Sequence, residues 1–291
     1  MTEPPREDVL TAVLGAHSLR VSIVAVPEFC GSWFEDEPRS ATHGSFHLID
    51  RGRCWVHSPA LEQPVALQQG DLILLPRGSP HTLASDPPQG DEASSFSTLI
   101  CGEFEYAGRG RDPVLAALPD AVVVRAEHGG EAFRDLARVL SYTAHHSLPG
   151  QRVVLDKLAE SLFVMVFCIH AAQAREPRGL LAALAHPRLA RALAAMHAEP
   201  GRAWRVDQLA GVAAMSRTSF AQAFTDCLGI SPMQYLTDWR IAEAQRLLAD
   251  PQLSVASVAD QLGYQSEAAF RRTFKRITGI GPGALRRRAT S

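Results

Sequence analysis

The sequence predicts an α+β chain: a β-barrel front, a helical linker and an all-α tail holding a double helix-turn-helix. Three observations predict it. Residues 16–124 carry short β-rich runs separated by Gly and Pro. Residues 131–174 carry apolar residues at helical spacing. Residues 206–282 hold two copies of one pattern, about fifty positions apart. The domain boundaries that follow are 1–125, 126–185 and 186–291.

The 291 residues suit two or three domains, and 46% hydrophobic with 21% charged residues is enough to bury a core. No apolar run reaches the length of a membrane span. The opening "MTEPPREDVL" lacks the basic-then-apolar order of a secretory signal, so a cytoplasmic address is expected. The five cysteines are scattered, odd in number and without a CxxC pair, which argues against a disulfide framework. Reduced thiols, a redox pair and metal ligands all stay open. The net charge of -2 hides an asymmetry: residues 186–291 hold 14 Lys+Arg against 8 Asp+Glu, the remainder 15 against 23. A basic tail on an acidic front points to a polyanion partner for the tail.

In the front half, "SLRVSIVAV", "SFHLIDRGRCWVH", "DLILLP" and "SFSTLICGEFEY" are the strand runs, and many short strands with such turns indicate a sandwich or barrel. Alternation puts His47 and Ile49 on one strand face, Phe46 and Leu48 on the other. The stretch "GDLILLPRGSPHTL" (70–83) is similar to the second cupin motif: a Gly-Asp turn opens a strand and a Pro precedes an inward His, here His81. The first motif is degraded; His43 and His47 precede "DRG" with no Glu at the usual place. An inward His47 would meet His81, and two imidazoles with a thiolate suit Zn or another divalent metal. Cys30 and Cys101, each directly before a Gly, are the available thiols. Cys54, Cys168 and Cys227 sit in patterns that look buried and are assigned a structural role. The incomplete ligand set speaks against an enzymatic cupin, so no enzymatic activity is expected.

In the middle, "EAFRDLARVLSYTAHHS" (131–147) predicts an amphipathic helix. "QRVVLDKLAESLFVMVFCIHAAQA" (151–174) predicts a longer one, apolar on three sides, which suits a homodimer interface. "AREPRGLLAALAH" (174–186) is expected to be a connector.

In the tail, "SFAQAFTDCLGISP" (219–232) aligns with "AFRRTFKRITGIGP" (269–282). Phe220 and Phe224 match Phe270 and Phe274; Gly229 and Pro232 match Gly279 and Pro282. Upstream, "VDQLAGVAAMS" and "VASVADQLGYQS" each predict a short helix and a turn ending in an N-cap Ser. Each unit is therefore helix, turn, helix, with Phe at i and i+4 anchoring the second helix. "PMQYLTDWRIAEAQRLLAD" (232–250) predicts one long helix between the units. Two such units can place two helices in successive major-groove segments of double-stranded DNA. Arg217, Thr218, Ser219 and Gln222 in the first unit are base-reading candidates, as are Glu267, Arg271 and Arg272 in the second. Lys275 is a phosphate candidate, as are the terminal Arg286, Arg287 and Arg288.

"RIAEAQRLLADPQLSVASVADQLGYQSEAAFRRTFKRITGIGPGALRR" (240–287) resembles the C-terminal signature of the AraC/XylS family of bacterial transcription regulators. The resemblance implies a seven-helix DNA-binding domain starting near His186, a cupin-type sensor in front, and action as an activator through RNA polymerase. Within that family the chain is similar to regulators responsive to reactive chlorine. There an early thiol and a thiol before Gly in the last sensor strand sense oxidant, and Cys30 and Cys101 stand at the matching places. That implies a redox switch at a low-pKa thiolate. The open alternatives are a small-molecule or metal sensor of the same family, and a metal-dependent cupin enzyme with a DNA-binding tail.

Overall fold

The computed structural model describes residues 10, 11, 13, 14, 20–40, 43–85, 96–105, 113–174, 179–250 and 252–289. Its strands are β1 (Arg20–Ala25), β2 (Glu28–Cys30), β3 (Phe34–Glu37), β4 (His43–Arg51), β5 (Arg53–His57), β6 (Val65–Gln68), β7 (Leu72–Leu75), β8 (His81–Ala84), β9 (Phe96–Glu105) and β10 (Val122–Val124). Its helices are α1 (Pro113–Ala116), α2 (Gly130–His145), α3 (Gln151–Gln173), α4 (Gly179–Ala185), α5 (Pro187–Ala198), α6 (Val206–Val212), α7 (Arg217–Leu228), α8 (Pro232–Leu248), α9 (Val255–Gln261), α10 (Glu267–Thr278) and α11 (Pro282–Ala289). They form two compact units: Leu19–Tyr106 with Leu118–Ala174, and Met1–Ser18 with Ala107–Ala117 and Arg175–Ser291.

The strands of the first unit make two antiparallel sheets. One runs β1-β9-β4-β7-β10 with β2 also on β9; the other runs β3-β8-β5-β6. The sheets share one apolar core of Ile49, Cys54, Val56, Leu67, Ile73, Leu75, Leu83, Leu99 and Cys101. β4 is buried along nearly its whole length because both its faces are covered. Ile49 points into the inter-sheet core, whereas Phe46 joins Leu72 and Leu74 against Ala159, Leu162, Phe163 and Val166 of α3. That cover explains why α3 is apolar on so much of its surface. Among its apolar residues, Val153, Val154 and Val164 remain exposed.

Two glycines set how closely β4 and β9 pack. Gly44 lies opposite Phe104, and Gly102 opposite Phe46. A Cβ on Gly102 would stand 2.2 Å from the Phe46 ring, and one on Gly44 2.3 Å from the Phe104 ring. Each ring lies over the partner glycine, which is the physical reason a Gly follows Cys101. The Gly-Asp turn is anchored equally firmly. Gly70 adopts φ +84, and Asp71, fully buried, accepts from Gln68 N (3.1 Å), Ala126 N (2.9 Å) and Arg125 Nη1 (2.7 Å). Asp50 pins α2 to β4, accepting from Ser141 Oγ and from His145 Nε2 at 2.9 Å.

In the second unit, α5 to α11 are seven helices, as the resemblance implied. Residues 179–185, expected to connect, form helix α4, whose Leu180, Leu181, Ala183 and Leu184 are buried. Leu209, Ala210 and Ala213 pack under α7, and Val258, Ala259 and Leu262 under α10; all are buried. Both Phe pairs are fully buried, with ring centroids 5.6 and 5.5 Å apart. Gly229 (φ +71) and Gly279 (φ +80) end α7 and α10 in the left-handed conformation that L side chains avoid. The repeat is not strict: Ala214 and Gly263 hold the positive-φ turn positions, and the second turn is one residue longer before its N-cap Ser266. His197 stacks on Trp239 at 3.9 Å and bonds the Tyr235 hydroxyl at 2.9 Å. Burial pushes its pKa down to about 3.

Two outcomes follow from these anchors. Asp71→Ala leaves two amides and a guanidinium without their acceptor, and should cost roughly 2–4 kcal/mol in a denaturant titration of the chain. His197 stays neutral in the fold but protonates in the unfolded chain below about pH 6.5. The unfolded state then binds more protons, so stability is complete above that pH and falls as pH drops toward 3. His197→Gln should remove about one proton from the acid-side slope of stability against pH.

Candidate nucleic-acid interface and sensor site

Each second helix of the two helix-turn-helix units turns its phenylalanines inward and leaves an outer face. On α7, Ser216 caps the helix, accepting from Ser219 N at 3.1 Å. Its hydroxyl also meets that of Ser219 at 2.9 Å, so Ser219 serves the cap as well as the surface. Arg217, Thr218 and Gln222 are exposed; the Gln222 amide donates to Asp226 at 2.7 Å. On α10, Arg271 Nε donates to Glu267 Oε1 at 2.6 Å, one turn back. The pair holds the guanidinium toward the helix N-terminus. Arg272 and Lys275 are exposed and, among the described residues, have no hydrogen-bond or ion-pair partner. Arg286 differs from expectation: it donates to the carbonyls of Leu248 and Leu253 and so ties α11 to the domain's own backbone. The side chains of Arg287 and Arg288 lie outside the described residues.

In the sandwich, four strands bring four functional side chains together. His47 on β4 lies opposite Cys101 on β9, and Glu37 on β3 lies opposite His81 on β8. The two pairs belong to different sheets and meet between them. Cys101 Sγ is 3.1 Å from His47 Nδ1, and His47 Nε2 is 2.7 Å from His81 Nε2. His81 Nδ1 is 3.0 Å from the Ser79 carbonyl. A carbonyl only accepts, so His81 carries its proton on Nδ1. With a neutral His81, Nε2 accepts from His47 Nε2–H, and His47 Nδ1 accepts from the Cys101 thiol. Burial, then His81, pushes His47 down to about 3, which keeps it neutral. Burial also raises Glu37, with His81 opposing and Glu103 and Glu35 adding to the rise.

Ligand atoms of Glu37, His47 and His81 all lie within 4.8 Å of one another. Two imidazoles and a carboxylate are a donor set for a divalent metal, and the two Nε2 atoms lie 2.7 Å apart. The carboxylate missing from the first motif thus comes from a different strand. Nothing local in "FEDEP" distinguishes Glu37 from Glu35; only the β3–β8 register selects it. Beside the triad, Glu37, Arg39, His43, His81 and Glu103 line a cavity of about 340 Å³.

The cysteines correct the sequence reading in three places. Cys101 is buried, and burial, with smaller contributions from Glu37, Cys54 and Glu35, pushes its thiol up to about 12, the opposite of a resting thiolate. Cys30 is exposed and pairs with Phe96, five residues along β9 from Cys101. At ~3.3 Å per residue that is about 17 Å, far beyond the roughly 7 Å Cα limit of a disulfide. Cys54 is buried as expected, but Cys168 is exposed and Cys227 only partly buried.

A family model described as "Cupin" matches residues 8–172, and a helix-turn-helix domain model matches 209–288. An AraC-like transcription regulator of Streptomyces lividans is 33% identical over 98% of this chain and 99% of its own length. This chain is an AraC-type transcription regulator with an N-terminal cupin domain. The RCS-specific HTH-type transcriptional activator RclR of Escherichia coli is 30% identical over 84% of each chain. Among solved structures, the DNA-binding domain of AdpA in complex with a target DNA is 36% identical over 33% of this chain and 87% of that one, with a TM-score of 0.32. The relatives are regulators, and this AraC-type protein is a regulator rather than an enzyme. Its helix-turn-helix domain binds DNA. No helix among the described residues is long and apolar enough to cross a membrane.

The two outer faces make distinct predictions. Arg272→Ala should weaken specific binding by roughly 1–3 kcal/mol and relax sequence preference under the α10 N-terminus. Lys275→Ala should weaken binding evenly across sequences and lower the salt slope by about 1. Fluorescence anisotropy on a selected duplex over a range of salt separates the two, and an unchanged Arg272→Ala would remove α10 as a reading helix.

Proposed function

We propose that this AraC-type regulator is an activator whose cupin sensor answers an oxidant through cysteine. Residues 1–125 receive the signal, 126–185 transmit it, and 186–291 bind DNA. The observation that carries the reading is the 3.1 Å contact between Cys101 Sγ and His47 Nδ1. His47 Nδ1 accepts the thiol hydrogen bond and so orients the sulfur as it attacks hypochlorous acid. The thiol becomes a sulfenic acid, and the chlorine leaves as chloride with a proton. The new oxygen enters the inter-sheet core, where Cys101 is 6% exposed. β9 must therefore shift against β4, and β2, which carries Cys30, is paired to the same strand. Cys30, about 17 Å from Cys101 and paired through β2 to the same β9, moves with that strand and takes no part in this step.

Glu37, His47 and His81 would hold a divalent metal such as Zn, which when bound would cross-link the two sheets. His47 then joins both devices, since its Nε2 faces the triad and its Nδ1 faces Cys101. A second reading rests on the cavity beside the triad, whose Arg39, His43 and Glu103 suit a small polar ligand. Val153, Val154 and Val164 on α3, with Val139 and Tyr142 on α2, are the exposed apolar groups that support a homodimer. Recruitment of RNA polymerase is the expected route to activation.

Metal content and thiol state, measured on one anaerobically purified sample before and after hypochlorous acid, test this reading. The expected result is oxidation of Cys101 to a sulfenic acid, absent in Cys101→Ala, and release of any bound metal alongside. If only the exposed Cys168 and Cys30 react while Cys101 stays reduced, the oxidant reading fails and the small-ligand cavity takes its place.

A further inference from the structure

The two helix-turn-helix units are joined through the chain by α8, whose first half packs on the first unit and whose second half packs on the second. Tyr235 lies 5.7 Å from Phe224, while Ile241, Ala244 and Leu248 share a core with Phe270 and Phe274. One helix alone would leave the units free to hinge at its ends. A second connection closes the ring. The segment between α5 and α6, which leads into the first unit, docks against the turn of the second by backbone alone. A Cβ on Gly263 would stand 2.0 Å from Gly201 O, and one on Gly201 2.2 Å from Gln261 O. Gly263 also has φ +72, so its position tolerates neither a side chain nor a change of backbone. Arg240, midway along α8, fastens the contact: its Nε donates to Pro200 O at 2.7 Å and its Nη2 to Arg202 O at 2.9 Å. The same guanidinium lies 5.8 Å from the ring centroid of Tyr264, the residue after Gly263.

We propose that Arg240 and the Gly201–Gly263 crossing are the determinants of half-site spacing: they lock α7 and α10 into one separation and phase, so that the domain accepts its two half-sites at a single distance. Arg240 is a positioning residue that touches no base. The inference rests on the reading of α7 and α10 as recognition helices. One added base pair moves a half-site by about 3.4 Å and turns it by roughly 35°. A locked pair of helices cannot follow that displacement, whereas a pair hinged on α8 can.

The test is selection of bound duplexes from a randomised pool by the full-length chain, as parent, Arg240→Ala and Arg240→Lys. Affinities of the selected half-motifs are then measured at neighbouring separations. The parent should select two half-motifs at one separation and lose on the order of tenfold or more when a base pair is added. Arg240→Ala should select the same half-motifs spread over adjacent separations, the penalty falling to about threefold or less. Arg240→Lys, able to serve one carbonyl, should fall between them and decides the matter if the alanine variant does not fold. A folded variant that keeps the single separation, even with weaker binding to both half-motifs, overturns the proposal. A parent that selects no sequence would instead sink the recognition-helix reading, and the clamp with it.

Discussion

The sensor unit depends on one constraint: polar groups buried between two sheets must find their partners there. Cys101, His47 and His81 are all buried and find their partners in one row that ends at the Ser79 carbonyl. The row crosses from the β4–β9 sheet to the β3–β8 sheet, so the register of four strands must be right at once for it to close. The glycines opposite Phe46 and Phe104, and the Asp71 anchor at the start of β7, serve that register. A chain of this kind joins the sheets and also makes their junction sensitive to any change at its members.

The DNA-binding domain solves a different problem with a different economy. Each helix-turn-helix is small, and its core is little more than a Phe pair over three small apolar residues. Neither unit buries much on its own, so α8 is shared between both cores and carries residues of each. The repeat is therefore a pair of half-domains completed by one helix. The two outer faces have diverged: α10 presents Arg271, Arg272, Lys275 and Arg276, whereas α7 presents mostly hydroxyl and amide groups. The positive charge of the two outer faces is therefore concentrated on the second unit.

Local features were legible in the sequence because their causes are local. The Phe pairs, the N-cap serines, Gly229, Gly279 and the prolines after them define α7 and α10 almost to the residue. Alternation along β4 placed His47 with Ile49 and opposite to Phe46, and the strand faces follow it. Several features were not legible. Residues 179–185 look like a connector because their burial comes from distant neighbours, and Cys168 looks buried because an apolar helix hides which of its sides is covered. Arg286 reads as a phosphate contact until its carbonyl partners, thirty-odd residues away, are in place.

By itself the sequence determined the α+β class, the tandem helix-turn-helix, the polar outer faces of α7 and α10 and the strand face that His47 shares with Ile49, since periodicity, caps and turn residues act within a few positions. Only the tertiary structure decided that Glu37 completes the triad, that Cys101 is a buried thiol bonded to His47 and distant from Cys30, and that Gly201, Arg240 and Gly263 close the two units into one body. Each of those depends on strand register or on backbone contact across tens of residues, and no spacing along the chain encodes either.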